Sequence, residues 1–355
     1  MTRALATIDR AALAHNLARV RALAPGRDVY AAVKADGYGH GAVTAAQALG
    51  GADGFAVSSL DEAMQLRWAG IDKTIVTLSQ PLDDAICALA AEHAITPVIF
   101  NDAQLAALER HIGATLKVWV KLDSGMHRLG FMPERSQEIE TRLAALERVE
   151  QVGWLTHLGC ADDIQHPLTE QQLATFAQAT VDRAGRRSIA NSAAVLAWPT
   201  AHADTVRPGI MLYGSSPMLD RSAADCDLKA AMHLTAPLIS RRRLAAGEPI
   251  GYGASWYTPE AMDVGVIGIG YGDGYPRHAP NGTPVLIRGC VAPLVGRVSM
   301  DMITVDLRDV PEAAIGDRAM LWGPELPADD VAAAAGTIAY ELFCRLTPRV
   351  RFEVI

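Results

Sequence analysis

The chain has 355 residues, half of them hydrophobic, and its formal net charge is −8. This length supports a large hydrophobic core and predicts two domains. The negative charge argues against a nucleic-acid partner. The densest basic cluster, Arg241, Arg242 and Arg243, has no further basic residues around it, and we interpret it as a solvated strand end.

Targeting and redox signals are weak throughout the sequence. The opening segment, "MTRALATIDRAALAHNLARV", lacks the continuous apolar stretch of a signal peptide. No segment approaches the roughly 18 uninterrupted apolar residues that a membrane span needs. The five cysteines are widely spaced and form no CxxC pair, which predicts neither a disulfide framework nor a zinc site. We therefore expect a cytoplasmic protein with reduced thiols, no metal and no membrane partner.

Strand-like and helix-like segments alternate through the first two-thirds of the chain. The strand-like segments are "VYAAVKA", "GFAVSS", "TIVTLS", "TPVIF", "LKVWVKLD", "QVGWLTHLG", "SIANS" and "TVRPG". The helix-like segments include "LDEAMQLRWAG", "NDAQLAALERHIG" and "TEQQLATFAQATVDRAG". Continuously apolar strands are typical of parallel strands covered by helices. This pattern predicts an α/β fold with an N-terminal (β/α)8 TIM-like barrel over residues 1–229, although a doubly wound open sheet has the same periodicity.

After about residue 230, helix-like patterns largely stop. Short strand-like runs such as "DVGVIGIGYGDGY", "TPVLIRG" and "DRAMLWG" alternate there with Gly and Pro turns. This pattern predicts a smaller, mostly antiparallel β domain over residues 230–355. The segment "LDRSAADCD", residues 219–227, is the expected boundary between the two domains.

Polar residues follow several strands, at the end of a barrel where active sites form. They are Lys34 and Tyr38 after the first strand, Asp123 and Arg128 after the fifth, His157 after the sixth, Asn191 and Ser192 after the seventh, and Arg207, Gly209 and Ile210 at the eighth. Each also has a structural interpretation. These are a lysine that snorkels to the rim, a core histidine, a helix cap at "NS" and a turn at "RPG".

The last two barrel strands are where this architecture commonly binds phosphate. Ser192 supplies a hydroxyl group there, and Gly209 and Ile210 supply backbone N–H groups. Lys34 would face the phosphate across the barrel mouth, and burial would make its amine a usable nucleophile. These pieces suggest either pyridoxal phosphate held by the lysine or a sugar phosphate attacked by it.

Eight sequence blocks together favour the first alternative. They are "AAVKADGYGHG", "KLDSGMHRLG", "THLGCAD", "NSAA", "RPGIMLYG", "GYGASW", "GIGYGDGYPR" and "GRVSMDM". In this order, the blocks resemble those of the bacterial alanine racemase family, whose members are fold-type III pyridoxal-phosphate enzymes. The first block alone is moderately specific, and the full set is highly specific.

The resemblance implies an enzyme that interconverts L-alanine and D-alanine with pyridoxal 5′-phosphate. Lys34 would be linked to the cofactor and would act as one catalytic base. Tyr252, from the β domain, would act as the second base on the opposite face of the substrate. Two bases solve the geometry of racemisation, because a proton must leave one face of Cα and arrive on the other.

The resemblance also assigns the remaining cofactor contacts. The phosphate would be held by Tyr38, Ser192, Gly209 and Ile210, and Asn191 would lie beside the cofactor. Arg207, buttressed by His157, would face the pyridine nitrogen. Because arginine keeps its proton, that nitrogen would stay unprotonated, which should suppress transamination.

Substrate contacts and assembly are implied in the same way. Arg128, Met300 and Asp301 would line the site for the substrate carboxylate. Lys121 occupies a position that is carbamylated in some relatives, where it would orient Arg128; an unmodified Lys121 paired with Asp123 is the alternative. The family further implies a homodimer in which the β domain of one subunit completes the site of the other.

Two features of the sequence depart from the family. Many relatives carry a tyrosine near the C-terminus that reaches the phosphate. The matching stretch, "YELFCRLTPRVRF", has Tyr340 only at its start, followed later by Leu346, Thr347 and Pro348, so that contact is not assigned. Many relatives also carry cysteine where Ser299 stands, which should alter packing more than chemistry.

Three alternative functions share parts of this pattern. A racemase of broader specificity would differ in pocket size. A non-catalytic pyridoxal-phosphate carrier would resemble the barrel alone, without "GYGASW" and "VSMDM". A decarboxylase on the same two-domain plan would be expected to place an acidic residue where Arg207 stands. The pattern leaves open whether D-alanine is made as a peptidoglycan precursor or consumed.

Overall fold

A closed barrel of parallel strands forms the first part of the fold. The computed structural model describes residues 4–355. After a first strand, β1 (Leu5–Ile8), the barrel strands follow in chain order: β2 (Asp28–Ala32), β3 (Gly54–Val57), β4 (Thr74–Thr77), β5 (Ile95–Ile99), β6 (Leu116–Lys121), β7 (Val149–Leu155), β8 (Arg186–Ser188) and β9 (Thr205–Val206). Because β2 pairs with β9, the sheet closes on itself. The barrel prediction is confirmed, and the doubly wound open sheet is excluded.

Helices alternate with these strands and cover the barrel. They are α1 (Arg10–Leu23), α2 (Lys34–Gly39), α3 (Ala42–Ala48), α4 (Leu60–Trp68), α5 (Asp84–Glu92), α6 (Asp102–Arg110), α7 (Ser136–Ala144), α8 (Leu168–Thr180) and α9 (Ser192–Ala197). Ser59, Asp83 and Asn101 cap α4, α5 and α6 with side-chain oxygens, which is why those helices begin where they do. Within residues 4–355, no helix has both the length and the apolar character that crossing a bilayer requires.

The second part of the fold is a mostly antiparallel sheet, as predicted. The strands that follow the barrel are β10 (Met232–Leu244), β11 (Pro249–Ile250), β12 (Trp256–Tyr257), β13 (Met262–Ile267), β14 (Leu286–Ile287), β15 (Cys290–Val291), β16 (Ile303–Asp306), β17 (Arg318–Trp322) and β18 (Arg351–Val354). All of them except β11 and β12 form one sheet together with β1, whereas β11 and β12 pair only with each other. Two helices that the sequence analysis did not predict, α10 (Ala328–Ala335) and α11 (Ala339–Cys344), lie between β17 and β18.

The first strand corrects the predicted domain division. Residues 1–229 were assigned to the barrel, but β1 pairs antiparallel with β10 and parallel with β18, so it belongs to the second sheet. Residues 1–3 of that assignment lie outside the described residues. The side chain of Asn16 on α1 is fully buried and donates to the carbonyls of Leu212 (2.9 Å) and Lys229 (2.8 Å). These bonds fix the segment that connects the two parts.

The hydrophobic core extends between the barrel strands and helices and continues into the second sheet. A separate apolar cluster comes from the barrel strands themselves and contains Tyr30, Val76, Val98, Trp119 and Leu155. Leu155 also lines the cavity at the C-terminal ends of these strands, so the cluster supports that cavity from below.

Candidate active site

A cavity of about 1150 Å³ lies at the C-terminal mouth of the barrel. Asp123, one of the predicted strand-end residues, does not line it. The other predicted barrel residues do: Lys34, Tyr38, Lys121, Arg128, His157, Asn191, Ser192, Arg207, Gly209 and Ile210. Parallel strands present their carboxyl ends at one rim, which is why residues so distant in sequence meet there. The cavity is large enough for a cofactor together with a small substrate.

Lys34 is separated from the end of β2 by Val33 alone and is half-buried in this cavity. Burial lowers the pKa of its amine, and the nearby Arg128 guanidinium lowers that pKa further. Glu62 and Cys344 act in the opposite direction. A lowered pKa raises the fraction of neutral amine, which is the form that acts as a nucleophile or base.

The residues after Lys34 form a left-handed helical turn. Ala35, Asp36 and Tyr38 have φ values of 51° to 52°, and Gly37 has a φ of 61°. This conformation is strained for residues with a Cβ, costing roughly 1–2 kcal/mol each, and such strain is concentrated at functional sites. The Asp36 carboxylate accepts from the N–H of Ala42 at 2.7 Å and stabilises the turn.

This turn places the Tyr38 ring in a closely packed aromatic group. Its ring stacks on that of Tyr213, with centroids 4.7 Å apart, and lies 5.9 Å from the ring of Tyr340. Burial raises the pKa of the Tyr38 hydroxyl, which therefore stays protonated and can donate a hydrogen bond. A Cβ placed on Gly209 would lie only 2.4 Å from the Tyr38 hydroxyl oxygen, so the glycine permits this approach.

Several hydrogen-bonding groups converge beside that hydroxyl. Ser192 is buried, and its Oγ accepts from the N–H groups of Gly209 (2.8 Å) and Met211 (3.4 Å). Ile210 begins a 3₁₀ turn, so its N–H has no acceptor within that turn. Hydroxyl and backbone N–H groups in this arrangement fit the phosphate of pyridoxal phosphate.

Arg207 is buried, and protein acceptors hold its guanidinium. It donates to the Ser188 hydroxyl and to the carbonyls of Thr156 (2.6 Å) and Ile189 (3.3 Å). Burial lowers the pKa of Arg207 to about 10, so it remains protonated at neutral pH. His157 was predicted to support Arg207, but the two side chains form no hydrogen bond with each other within the described residues. The carbonyl of Thr156, the residue before His157, accepts from the guanidinium instead.

His157 and Asn191 also line the cavity. Burial, followed by the positive charge of Arg207, lowers the pKa of the His157 imidazole well below its usual range, so the ring is neutral. Asn191 accepts from the N–H of Ala194 at 3.0 Å and so caps α9, as the structural interpretation of "NS" expects, while also lining the cavity.

Lys121 does not pair with Asp123 in the described part of the chain. Asp123 instead accepts from the N–H groups of Gly125, Met126 and His127, each at 3.0 Å, and so shapes the loop after β6. Burial lowers the pKa of the Lys121 amine to about 8, and the charges of Arg207 and Arg128 contribute to this shift. The amine is therefore more often neutral than that of an exposed lysine.

The predicted site residues of the second domain do not line this cavity. Tyr252 is 69% exposed and Met300 is 51% exposed in the single chain. Asp301 forms an ion pair with Arg349 at 2.5 Å, and Arg349 also binds the buried Asp273 at 3.1 Å. The loop that carries Met300 and Asp301 is thus fixed in position, but it lies outside the cavity of its own chain.

The C-terminal helices supply lining residues that sequence reasoning missed. Asp329 of α10 and Tyr340 and Cys344 of α11 line the cavity. Asp329 accepts from the Ser215 hydroxyl and from the N–H of Ser216 at 3.0 Å, which joins α10 to the barrel loop. The segment "PADDVAAAAG" has acidic residues in the first helical turn and a terminal glycine, signals that predict a helix.

Comparison with known proteins extends over both parts of the chain. The model of the alanine racemase N-terminal domain matches residues 8–217, and that of the C-terminal domain matches residues 231–354. The chain belongs to the alanine racemase family. An alanine racemase of Halorhodospira halophila is 51% identical over 99% of this chain and 98% of that protein. One of Nitrosococcus oceani is 52% identical over 97% of each.

Solved alanine racemase structures share the fold over the whole chain. The crystal structure of a biosynthetic alanine racemase from Pseudomonas aeruginosa has a TM-score of 0.97 and 47% identity, with 100% of both chains covered. An alanine racemase from Bacillus anthracis, solved with bound L-Ala-P, has a TM-score of 0.88 and 28% identity, covering 100% of this chain and 95% of that one. These matches support the sequence-based assignment to the alanine racemase family.

Proposed function

We propose that this chain interconverts L-alanine and D-alanine with pyridoxal 5′-phosphate attached at Lys34. The observation that carries the proposal is the cavity in which a lysine of lowered pKa and a group of hydroxyl and N–H donors lie together. When bound, the cofactor withdraws electrons from Cα of the amino acid so that its proton can be removed. The protein residues bind, orient and move protons around that centre.

The barrel residues hold the cofactor in this proposal. Tyr38, Ser192 and the N–H groups of Gly209 and Ile210 bind the phosphate. Arg207, which stays protonated, donates to the pyridine nitrogen and so keeps that nitrogen unprotonated. The hydrogen bonds of Arg207 to Thr156 and Ile189 hold the guanidinium in position before the cofactor binds.

Proton transfer requires a second base, which we assign to Tyr252 of a partner subunit. Lys34 holds or releases a proton on one face of the substrate Cα, and Tyr252 does so on the other. Met300 and Asp301 of the same partner domain line the site for the substrate carboxylate together with Arg128 of the barrel. A carbamylated Lys121 would orient Arg128, and the lowered pKa of the Lys121 amine favours the neutral form that such a modification needs.

Exposed apolar side chains on the second domain support a homodimer of this kind. Each is at least 40% exposed in the single chain: Tyr252, Tyr257, Tyr271, Met300 and Met302. A partner barrel would cover this surface and would complete the site, because none of these side chains lines the cavity of its own chain.

The proposal predicts that Lys34→Ala abolishes nearly all racemisation and removes covalent cofactor attachment. Borohydride reduction of the wild-type protein followed by peptide mass spectrometry should place the phosphopyridoxyl group on Lys34, and chiral chromatography should show racemisation of alanine. An adduct on Lys117, Lys121 or Lys229 would contradict the assignment. Tests with larger amino acids separate an alanine-specific enzyme from one of broader specificity.

A further inference from the structure

A single carboxylate joins the loops that follow the first two barrel strands. Glu62 Oε1 accepts from the N–H of Ala35 at 2.8 Å, and Oε2 accepts from the N–H of Ser58 at 2.6 Å. Ala35 follows Lys34 directly, whereas Ser58 follows β3. Glu62 itself lies in the first turn of α4 and is partly buried.

These contacts differ from those of a local helix cap. Ser59 caps α4 and accepts from the N–H of Glu62 at 3.4 Å, so the sequence "SLDE" has the form of a capping box. In that motif the Glu62 side chain would accept from the N–H of Ser59 itself. Here one carboxylate oxygen accepts from the N–H of Ser58, the neighbour of Ser59, and the other accepts from Ala35 in a different loop, so helix capping alone does not explain its position.

The contact at Ala35 supports the most strained part of the site. Ala35 has φ 51° and ψ 52°, and it begins the left-handed turn that follows Lys34. Asp36 supports the other end of this turn through the N–H of Ala42. A hydrogen bond to an ionised carboxylate is stronger than one between neutral groups, which suits it to holding a strained backbone.

Among the groups that raise the pKa of Lys34, the Glu62 carboxylate has the largest effect. The charged or titratable groups that act on Lys34 are Arg128, Glu62 and Cys344, and Lys34 in turn acts on Lys121 and His157. Arg128 lowers the pKa of Lys34, whereas Glu62 raises it. Loss of the carboxylate should therefore change both the position and the proton affinity of the lysine.

We infer that Glu62 is a positioning residue for Lys34, which fixes the strained turn beside the lysine through the N–H of Ala35. The inference rests on the proposed function of Lys34 and adds a residue outside the cavity to the machinery. Glu62 does not line the cavity. It acts through the backbone that sets where the amine of Lys34 points.

Glu62→Gln and Glu62→Ala test this role, with Asp61→Asn as the matched control. Asp61 lies in the same helical turn, is exposed and makes no side-chain hydrogen bond or ion pair within residues 4–355. Gln keeps one oxygen acceptor and removes the charge, whereas Ala removes both contacts. We expect kcat to fall about tenfold in Glu62→Gln and further in Glu62→Ala, with KM within about twofold of wild type.

A spectroscopic titration separates positioning from a general loss of stability. The pH midpoint of the bound cofactor's absorbance change should move to lower pH in Glu62→Gln, because the carboxylate that favours a positive charge at the Lys34 nitrogen is gone. Asp61→Asn should match the wild type in both measurements. Wild-type kcat and an unmoved midpoint in Glu62→Gln would overturn the inference, as would a change in melting temperature alone.

Different results would contradict the proposed function of Lys34 and the positioning role of Glu62. Mass spectrometry of reduced wild-type protein reports on Lys34 regardless of Glu62. If the cofactor attaches elsewhere, the proposed function fails. If the cofactor attaches at Lys34 while Glu62→Gln behaves like Asp61→Asn, only the positioning role fails.

Discussion

Arg207 illustrates how the environment of one residue indicates its use. Its guanidinium is buried, and no carboxylate of residues 4–355 lies within ion-pairing distance of it. A buried charge without a counter-ion is costly, so its retention indicates a purpose other than stability. Hydrogen bonds to neutral acceptors, the Ser188 hydroxyl and two backbone carbonyls, offset part of that cost. The positive charge itself has no counter-ion within residues 4–355, and Arg207 lines the cavity.

Arg207→Glu should change the course of the reaction. A carboxylate facing the pyridine nitrogen would keep it protonated, which strengthens electron withdrawal and favours transamination. We expect racemisation to fall roughly 100-fold or more, and pyruvate to form from alanine at a higher rate than in the wild type. Coupled assay of pyruvate and chiral analysis of alanine measure the two outcomes.

A matched variant distinguishes the role of charge from that of packing. Arg207→Lys keeps a positive charge and should show no rise in pyruvate formation, even if racemisation weakens. Equal pyruvate formation in Arg207→Glu and the wild type would show that Arg207 does not face the ring nitrogen.

Residues at the strand ends were predictable because barrel topology alone places them together. Lys34, His157 and Arg207 each follow a strand whose apolar run is visible in the sequence. Tyr340 was not assigned, because its position depends on α11 returning to the barrel mouth after most strands of the second sheet. The hydrogen-bond partners of Arg207 were likewise invisible, since two of them are backbone carbonyls.

At the scale of elements, apolar runs predicted the strands, whereas the left-handed turn was not predicted. Ala35, Asp36 and Tyr38 occupy positive φ without being glycine, so the sequence carries only Gly37 as a signal for that conformation. The C-terminal helices were missed because the surrounding strand and turn signals dominated the interpretation of that region. Residues of the left-handed turn and of the C-terminal helices line the cavity.

Gly209→Ala should weaken cofactor binding while preserving the fold. The added Cβ would meet the Tyr38 hydroxyl oxygen at 2.4 Å, and Tyr38 has little room to move because it stacks on the buried Tyr213. Because Gly209 has φ −123°, the effect would come from contact and not from backbone strain. We expect the Kd for pyridoxal phosphate to rise about 10- to 100-fold, measured by equilibrium dialysis.

Gly51→Ala provides the control for this substitution. Gly51 is exposed, and its Cβ would meet only the flexible end of Leu17, at 3.3 Å. The affinity of the Gly51→Ala variant for pyridoxal phosphate should match that of the wild type. An unchanged Kd in Gly209→Ala, with Tyr38 intact, would contradict the close approach described for the phosphate site.

At the scale of the whole molecule, the separation of Tyr252 from the cavity predicts that one site needs two chains. Lys34→Ala and Tyr252→Phe should each be nearly inactive as homodimers. Their co-expression should restore partial activity, because some mixed dimers would combine an intact Lys34 with an intact Tyr252. Affinity purification with two different tags isolates those mixed dimers for assay.

The same variants test the assignment of opposite faces. Tyr252→Phe retains Lys34, so the Cα hydrogen of D-alanine should still exchange with deuterated solvent while that of L-alanine should not. Mass spectrometry of the recovered amino acid measures both. Equal loss from the two enantiomers would rule out bases on opposite faces, and inactive mixed dimers would show that each site is built from one chain.

The place of β1 between β10 and β18 has a consequence for how the chain is made on the ribosome. Leu5 pairs with Thr235 on one side and with Arg351 on the other, so β1 is made before the barrel strands and both of its partner strands are made after them. The barrel strands lie entirely between these two events, so the barrel can assemble during translation, as N-terminal units generally do. The second sheet can be completed only after β18 has been synthesised. Until β10 has been made, β1 has neither of its partner strands, and until β18 has been made one edge of β1 stays unpaired and open to chaperones and proteases.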